Sequence, residues 1–480
     1  MNKYLSVFSN KRMLTTLLLG FSGGLPLALV GSTLQAWLAR SNVDIVLIGQ
    51  FALIQYPYAL KFLWAPFMDN KPLPFLGLRR GWLVVSQIGL FAATWGLGSI
   101  GNPSNTIALF SLLAFLLAFF SASQDIVIDA YRTEIIEDEK ELGAGASTYI
   151  TGYRIATLVS GGVALGLVDQ IGWKHVYFLM ASINLVGLVT VLLSKEPKVT
   201  REVKTQTGSF TKPFIEFFQR SGAMEILIFV MVYKLSTLMA TALTTKFLVD
   251  LGYSNLMIGT VNKGAGLIAT IAGTLAGGAL MAKLGLKRSL WVFGILQAMV
   301  GLTFCALSYL ASHGGEIQNL GLVMVVSIDN FFMGMGTAAL TGFLMHVCSK
   351  RYTATHYALL TSVMAVGRVV LIAHAGTLVA WMGYNWFFIA TVPLAIPGLL
   401  LLRRYDFWEK SSGQLVTTKV PKFELGLMVV MMASLLLLSS DPVWRFLDKK
   451  ALGTEVALLG AFGVLAVVAL GLLKPQAQRT

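Results

Sequence analysis

Long apolar runs alternate with short polar or charged stretches along most of the chain. A helix needs about 17–25 mainly apolar residues to cross a bilayer. The pattern predicts fourteen transmembrane helices, separated by charged linkers at 195–220 and 403–421. The predicted spans are 12–39, 45–68, 81–100, 105–136, 142–169, 172–194, 222–250, 255–283, 288–311, 317–348, 354–382, 384–402, 423–440 and 454–473.

Short motifs from the first half recur in the second at a nearly constant offset. The segment LGLRR at 76–80 is followed by LGLKR at 284–288, and Gly172-Trp173 by Gly383-Tyr384. An internal repeat of this kind is typical of transporters built from two related halves. The prediction is an all-α polytopic membrane protein with two pseudo-symmetric six-helix bundles and two C-terminal transmembrane helices. The bundles are predicted at 1–195 and 222–403, with a linker at 196–221 and the two additional helices within 404–480.

Composition and charge agree with a membrane protein. Of the 480 residues, 56% are hydrophobic and only 12% are charged, against about 25% charged in soluble domains. The net charge of +14 first suggests nucleic acid. However, most Lys and Arg fall in alternate loops, as the positive-inside rule requires when both termini are cytoplasmic. This distribution favours a multi-pass protein in a lipid bilayer with no nucleic-acid partner.

Two carboxylates lie in the fourth predicted span. Asp125 and Asp129 are spaced i, i+4, so they share one face of a helix. Ionisable residues inside a bilayer are costly, and two close carboxylates repel when both are ionised. The pair is therefore predicted to take up a proton during transport. The alternative is permanent pairing with a basic neighbour such as Arg132 or Arg154, which would only hold helices together.

Eight ionisable residues fall well inside predicted spans, and five of them are basic. The basic excess favours an anionic substrate, such as one with carboxylates. Each basic residue could instead form an interhelical salt bridge. The candidates for substrate binding are Gln35, Tyr58, Lys61, Gln124, Tyr153, Arg154, Lys234, Asn262, Lys263, Asp329 and Arg368.

Several motifs, spread over 10–405, resemble the anhydromuropeptide permease family (AmpG) of the major facilitator superfamily. They include GFSGGLPLAL (20–29), KFLWAPFMD (61–69), SASQDIVIDA (121–130), VNKG (261–264) and VGRV (366–369). The resemblance implies the superfamily fold. It also implies import of N-acetylglucosaminyl-1,6-anhydro-N-acetylmuramyl peptides (muropeptides) across a bacterial inner membrane for peptidoglycan recycling, driven by protons.

The same resemblance assigns roles to residues. Asp125 and Asp129 correspond to the acidic pair of the family. Lys246 and the pair Asp329-Asn330 depart from the family pattern. The superfamily also carries an acidic-basic loop after the second span, which locks the cytoplasmic side. Here that loop supplies Asp69, Arg79 and Arg80 as gate candidates; simple positive-inside anchoring is the alternative.

Other function classes receive little support from the sequence. The chain shows no nucleophile-base set, no metal-ligand spacing and no cofactor motif, so an embedded enzyme is disfavoured and no cofactor is expected. A carrier of another bulky anion, such as an acyl-coenzyme A compound, is the main alternative. The protein is expected to function as a monomer.

Overall fold

A computed structural model describes residues 10–41, 43, 51–136, 138–197, 210–311, 315–373 and 375–411. Every regular element in these residues is helical. The predicted thirteenth and fourteenth spans lie outside them. The first eight α-helices are α1 (Lys11–Val30), α2 (Ser32–Arg40), α3 (Tyr56–Leu60), α4 (Ala65–Asn70), α5 (Leu78–Ser99), α6 (Ile107–Ile135), α7 (Glu139–Thr157) and α8 (Ala164–Leu193).

The later helices follow the linker. They are α9 (Lys212–Gln219), α10 (Ala223–Val232), α11 (Leu235–Ala242), α12 (Thr244–Asp250), α13 (Asn255–Val261), α14 (Leu267–Leu284), α15 (Leu286–Ala298), α16 (Val300–Ala311), α17 (Gly315–Val347), α18 (Thr353–Ala373), α19 (Ala375–Thr391), α20 (Ile396–Leu401) and α21 (Tyr405–Ser411). Short 3₁₀ turns cover Phe51–Gln55, Lys61–Leu63, Pro103–Asn105, Val392–Ala395 and Leu402–Arg404, and π-helical turns cover Leu158–Val163 and Asn262–Gly266.

Within the described residues, nine helical segments are long and apolar enough to cross a membrane. The longest, Lys140–Leu193, has 54 residues, whereas one crossing of a hydrocarbon core of about 30 Å needs about 20. This segment bends at Gly172, which has φ 76° and ψ 162°. It therefore contains two crossings, but the predicted total of fourteen is not confirmed.

The backbone repeats where the sequence repeats. Gly172 and Gly383 have nearly identical dihedral angles, since Gly383 has φ 76° and ψ 164°. Gly77 and Gly285 also have positive φ, at 89° and 77°. Only glycine adopts such angles at no steric cost. The repeated glycines therefore turn the chain in the same way in both halves.

By their contacts the residues form two compact units. Unit 1 comprises the described residues up to Phe214, together with Lys263–Ser289 and Met333–Ser362. Unit 2 comprises Ile215–Asn262, Leu290–Phe332 and the described residues from Val363 onward. These units do not follow the predicted bundle boundaries at 1–195 and 222–403, which stay a prediction.

Glycines bring the helices of unit 1 into backbone contact. A Cβ on Gly20 of α1 would lie 2.2 Å from the carbonyl oxygen of Tyr149 in α7, and one on Gly152 would lie 2.1 Å from that of Leu17. Farther along α7, a Cβ on Gly143 would lie 2.8 Å from the carbonyl oxygen of Gly278 in α14. Small residues permit this close packing in membranes. They fix α7, which carries several candidate site residues, between α1 and α14.

Unit 2 is held by an aromatic core and a buried acid. Phe304 stacks on Phe388, with ring centroids 5.1 Å apart. Glu225, in the first turn of α10, accepts hydrogen bonds from Arg404 at 3.2 Å and from the indole of Trp408 at 2.7 Å. The carboxylate thereby ties α10 to the end of the described chain.

Candidate functional site

The acidic pair lies on α6, the 29-residue helix Ile107–Ile135. This stretch has neither Gly nor Pro, so nothing in its sequence interrupts the helix. Asp125, Asp129 and Arg132 follow one another at i, i+4 and i+7. They therefore form one charged stripe along a mainly apolar helix.

Lys61 is the partner of Asp125. It lies in the 3₁₀ turn between α3 and α4, in a region interrupted by Pro57 and Pro66. Its ammonium pairs directly with an Asp125 oxygen and lies 3.7 Å from Asp129. The broken helix thus places one cation against both carboxylates.

Arg132 holds the other side of Asp129. Its guanidinium donates to one Asp129 oxygen from Nε at 3.0 Å and from a terminal nitrogen at 2.7 Å. The guanidinium also lies 4.2 Å from the Tyr149 ring centre and hydrogen-bonds to the Tyr357 hydroxyl. Tyr149 completes the cluster by donating to Asp125 at 3.3 Å.

These contacts define what we call the charge cluster: Lys61, Asp125, Asp129, Arg132, Tyr149 and Tyr357. Its two cations balance its two carboxylates. The exposed fractions of the side chains are 5% for Lys61, 5% for Asp129 and 2% for Arg132, but 23% for Asp125. Asp125 is therefore the carboxylate most open to a proton or a ligand.

A second polar network surrounds Asp69. Its carboxylate pairs with Arg79 at 2.8 Å and accepts hydrogen bonds from the amides of Ala354 at 3.1 Å and Thr355 at 2.7 Å. Those amides begin α18, where unpaired N–H groups favour an anion. Arg79 also contacts Glu134 of α6 at 2.5 Å. We call Asp69, Arg79, Glu134 and the first turn of α18 the Asp69 network.

Arg80, the third gate candidate, makes different contacts. Its guanidinium donates to the carbonyls of Val191 at 2.9 Å and Leu192 at 2.8 Å, in the last turn of α8. There it satisfies backbone carbonyls and complements the helix dipole. Its part in the gate stays a prediction.

Arg154 and Lys263 stand apart from both networks. In the part of the chain that the structure describes, neither forms an ion pair. Arg154 is half-buried four residues before the π-helical turn Leu158–Val163, and Lys263 is exposed within the turn Asn262–Gly266. π-Helical turns are frequent at functional sites. Both cations are therefore available to an anionic ligand.

The other predicted binding residues differ in accessibility. Gln124 is buried in a network with Gln87 and Ser22, at 2.9 Å and 3.2 Å. The Tyr58 hydroxyl donates to Ser121 at 2.8 Å. Gln35 and Asn262 are exposed, and Tyr153 is half-buried beside Tyr149, with ring centres 6.0 Å apart. Arg368 belongs to α18, but its side chain lies outside the described part. Substrate contact by these residues stays a prediction.

Lys234 and Asp329 belong to unit 2. Lys234 occupies the break between α10 and α11, and Asp329 lies within α17. Asp329 is 6% exposed, and its Oδ1 makes no hydrogen bond to a described residue.

Sequence reasoning missed several members of these networks. Lys61 was predicted as a substrate ligand, which stays a prediction, but its direct pairing with Asp125 was not foreseen. Of the two cations proposed as partners, Arg132 binds Asp129, but Arg154 binds neither carboxylate. Tyr149 and Tyr357 belong to no sequence motif that would have marked them as site residues. Glu134 could have been noticed only because it follows Arg132 on the same helix. The described residues contain no group of His, Cys, Asp or Glu able to hold a metal.

Comparison with known proteins identifies the class. The sequence profile of the Major Facilitator Superfamily matches residues 12–371, so the chain belongs to that superfamily. Solved structures agree on the fold. The proton:xylose symporter XylE matches with a TM-score of 0.58 at 12% identity, covering 86% of this chain and 98% of that one. A bacterial homologue of the iron transporter ferroportin matches with a TM-score of 0.58 at 14% identity, covering 82% and 98%.

Curated relatives narrow the family. The anhydromuropeptide permease of Escherichia coli K12 is 42% identical over 404 residues, covering 84% of this chain and 81% of that protein. A protein named putative transporter AmpG 4, from Rickettsia conorii, is 34% identical over 407 residues, covering 82% and 97%. The chain is thus a multi-pass membrane protein of the transporter family that includes these permeases.

Proposed function

We propose that this protein imports anhydromuropeptides from the periplasm to the cytoplasm by proton-coupled alternating access. The 42% identity to a protein named anhydromuropeptide permease supports the substrate class. The observation that carries the mechanism is the charge cluster, in which balanced buried charges leave Asp125 the most accessible carboxylate. The protein acts as a monomer in the inner membrane, with both termini cytoplasmic.

Substrate binding begins with the cations outside the cluster. An unpaired cation is expensive in a bilayer unless it meets an anion or water. Arg154 and Lys263 are such cations among the described residues and lie on the packed helical segments α7 and α14 or next to them. They bind the carboxylates of the muropeptide peptide, and the planar Arg154 guanidinium does so in bidentate fashion.

Proton coupling then works through Lys61. A proton on Asp125 removes its charge and weakens its hold on Lys61, which turns fully to Asp129, 3.7 Å away. The cluster then has a net positive charge, which favours the substrate anion. Loss of the proton restores the Lys61–Asp125 pair and favours substrate release.

The Asp69 network serves as the cytoplasmic gate. Asp69, near the end of α4, pairs with Arg79 of α5 and accepts hydrogen bonds from the first turn of α18. While these contacts hold, the cytoplasmic end is closed. Opening requires that they break as the bundles rock.

Transport into right-side-out membrane vesicles tests the function, because their outer face corresponds to the periplasmic side of the membrane. Labelled anhydro-disaccharide peptide should enter, and unlabelled anhydromuropeptide should compete, whereas sugars lacking the anhydro ring or the peptide should not. Collapse of the proton gradient should abolish accumulation. Competition by an acyl-coenzyme A compound, with none by muropeptide, would overturn the proposed substrate; accumulation that survives gradient collapse would overturn the coupling.

Arg154→Gln tests anion binding. We expect KM for the muropeptide to rise about tenfold, equivalent to about 1.4 kcal/mol, because a charged hydrogen bond to the substrate is lost. Thermal stability should not fall, because Arg154 has no ion pair among the described residues. Arg40→Gln, which removes an exposed cation paired with Asp169, is the control. A large loss of stability with an unchanged KM would assign Arg154 a structural role instead.

A further inference from the structure

Asp125 and Asp129 accept hydrogen bonds from donors of different kinds. Asp129 accepts two from the Arg132 guanidinium, at 3.0 Å and 2.7 Å. Asp125 pairs with Lys61 through Oδ2, whereas its Oδ1 accepts a hydrogen bond from the neutral hydroxyl of Tyr149 at 3.3 Å. Protonation of Asp129 would leave the Arg132 charge, which is 2% exposed, without its counter-ion. The two carboxylates are therefore unequal as proton acceptors.

Tyr149 is fixed in place by the helices that pack against it. A Cβ on Gly20 of α1 would lie 2.2 Å from the Tyr149 carbonyl oxygen, so the two backbones are in contact. A Cβ on Gly23 would lie 3.2 Å from the Tyr149 hydroxyl, so the glycine leaves room for this group. The ring centre lies 4.2 Å from the Arg132 guanidinium of α6, and Tyr149 is 7% exposed. The backbone and the ring thus orient the hydroxyl toward Asp125.

Other charged and titratable groups surround the acidic pair without donating to Asp125. The Tyr58 hydroxyl donates to Ser121, and the Tyr357 hydroxyl accepts from Arg132. Helix α1 carries charge only at its first two residues, and α5 only at two arginines near its start. Among the described residues, Lys61 and Tyr149 are thus the two donors to Asp125. The groups in or next to the cluster are Tyr58 and Lys61 before α4, Asp129 and Arg132 on α6, Tyr149 and Tyr153 on α7, and Tyr357 on α18.

We propose that Tyr149 is a positioning residue for proton uptake: it stays hydrogen-bonded to Oδ1 of Asp125 while Lys61 leaves Oδ2 and a proton takes its place. The inference rests on the proposed proton-coupled import, in which Lys61 turns to Asp129. A hydroxyl can donate to a carboxylate oxygen and also to the carbonyl oxygen of a protonated carboxyl. The hydrogen bond from Tyr149 therefore persists in both states and keeps the carboxyl in one orientation. Asp125 carries the proton, and Asp129 stays ionised between Arg132 and Lys61.

Infrared difference spectroscopy on the purified protein gives the sharpest test, because the C=O stretch of a protonated carboxyl reports its hydrogen bonds. Spectra are recorded between neutral and acidic pH for wild type and Tyr149→Phe, each with and without Asp125→Asn. The component that Asp125→Asn removes belongs to Asp125. Tyr177→Phe is the matched control, since the buried Tyr177 hydroxyl also donates at 3.3 Å, but to the backbone carbonyl of Leu29.

We expect the Asp125 component to move to higher frequency in Tyr149→Phe, because the carbonyl oxygen loses a hydrogen bond, and to keep its wild-type frequency in Tyr177→Phe. The initial rate of gradient-driven uptake of labelled anhydromuropeptide should fall about tenfold in Tyr149→Phe, the effect of one hydrogen bond. Uptake by Tyr177→Phe should equal that of wild type. Tyr149→Phe retains the ring beside Arg132, so the fold of the cluster is expected to survive.

The failure of this inference can be told apart from the failure of the proposed function. If wild type accumulates muropeptide under a proton gradient but the Asp125 component has the same frequency in Tyr149→Phe, the inference is overturned and the function stands. A wild type without gradient-driven accumulation would remove the proposed coupling and the inference with it. Should Tyr149→Phe not fold, Asp129→Asn decides: a carboxyl component that this change removes and Asp125→Asn retains would overturn the inference.

Discussion

The buried acids of unit 1 differ from Asp329 of unit 2 in their hydrogen bonding. In unit 1, Asp69, Asp129 and Glu134 each have a cation and directed hydrogen bonds. In unit 2, Glu225 is satisfied in the same way by Arg404 and Trp408, but Asp329 is not. Burial alone therefore does not show whether a carboxylate has its full set of hydrogen-bond partners. The difference lies in whether neighbouring groups complete the carboxylate's hydrogen bonds, because only an incomplete site gains from a proton or a ligand.

The largest effect is expected at Lys61. Lys61→Gln leaves Asp125 without its cation, and removing one member of a buried pair costs about 3–5 kcal/mol. Stability in detergent should fall and uptake should be lost. Lys71→Gln, at a nearby exposed lysine, is the control. Adding Asp125→Asn to Lys61→Gln should restore part of the stability, because it removes the carboxylate charge that has lost its cation. If stability does not recover, Lys61 and Asp125 are not energetically coupled.

Asp69→Asn tests the proposed cytoplasmic gate. The variant loses a charged contact to Arg79, worth about 1.5–3 kcal/mol, although Arg79 keeps Glu134. We expect a lower melting temperature and faster cysteine labelling at Thr355→Cys in the Asp69→Asn background. Asp169→Asn, in an exposed pair, should do neither. Unchanged labelling would separate the Asp69 network from gating.

Gly152→Ala tests whether close packing of α1 against α7 stabilises the helix that carries Tyr149 of the charge cluster. The new Cβ would lie 2.1 Å from the carbonyl oxygen of Leu17, so α1 and α7 must separate. Overpacking of this kind typically costs about 1–3 kcal/mol. Gly166→Ala, in α8, has nothing within 4 Å and should be neutral. Equal melting temperatures for the two variants would show that α7 does not depend on this contact.

The smallest effect is expected in unit 2 at Lys246. Lys246 forms an exposed ion pair with Asp250 one helical turn away, with side-chain exposures of 64% and 38%. Exposed pairs contribute about 0–1 kcal/mol. Lys246→Gln should therefore leave the melting temperature nearly unchanged. A loss comparable with that of Lys61→Gln would contradict the distinction between buried and exposed charges.

Helices with uninterrupted apolar sequences were predicted closely. The spans predicted at 105–136 and 81–100 correspond to Ile107–Ile135 and Leu78–Ser99. Where a helix is interrupted, the hydropathy pattern predicted a single continuous span. The span predicted at 12–39 divides at Gly31, and that at 222–250 divides at Lys234. Hydropathy averages over about 20 residues and cannot detect a break of one or two.

The glycine-rich stretches predict close helix packing but not the partner helix. Gly20 to Leu25 and Gly273 to Gly278 are glycine-rich stretches in apolar segments, a pattern that predicts close helix packing rather than a nucleotide-binding loop. The close approaches of Gly20 to Tyr149 and of Gly278 to Gly143 confirm this packing. The partner helix in each case was not predictable, because glycine has no side chain whose chemistry specifies a neighbour.

The sequence by itself determined the membrane class, the repeat and the presence of costly charges on particular helices. Each of these follows from composition or from spacing along a single element. Only the tertiary structure decided which charges are compensated. Lys61 and Asp125 are 64 residues apart, and Asp69 and Thr355 are 286 apart. Such pairs form because packed helices bring residues that are distant in sequence within a few ångströms of each other. In that environment of low dielectric constant, a buried charge that lacks its partner destabilises the fold strongly.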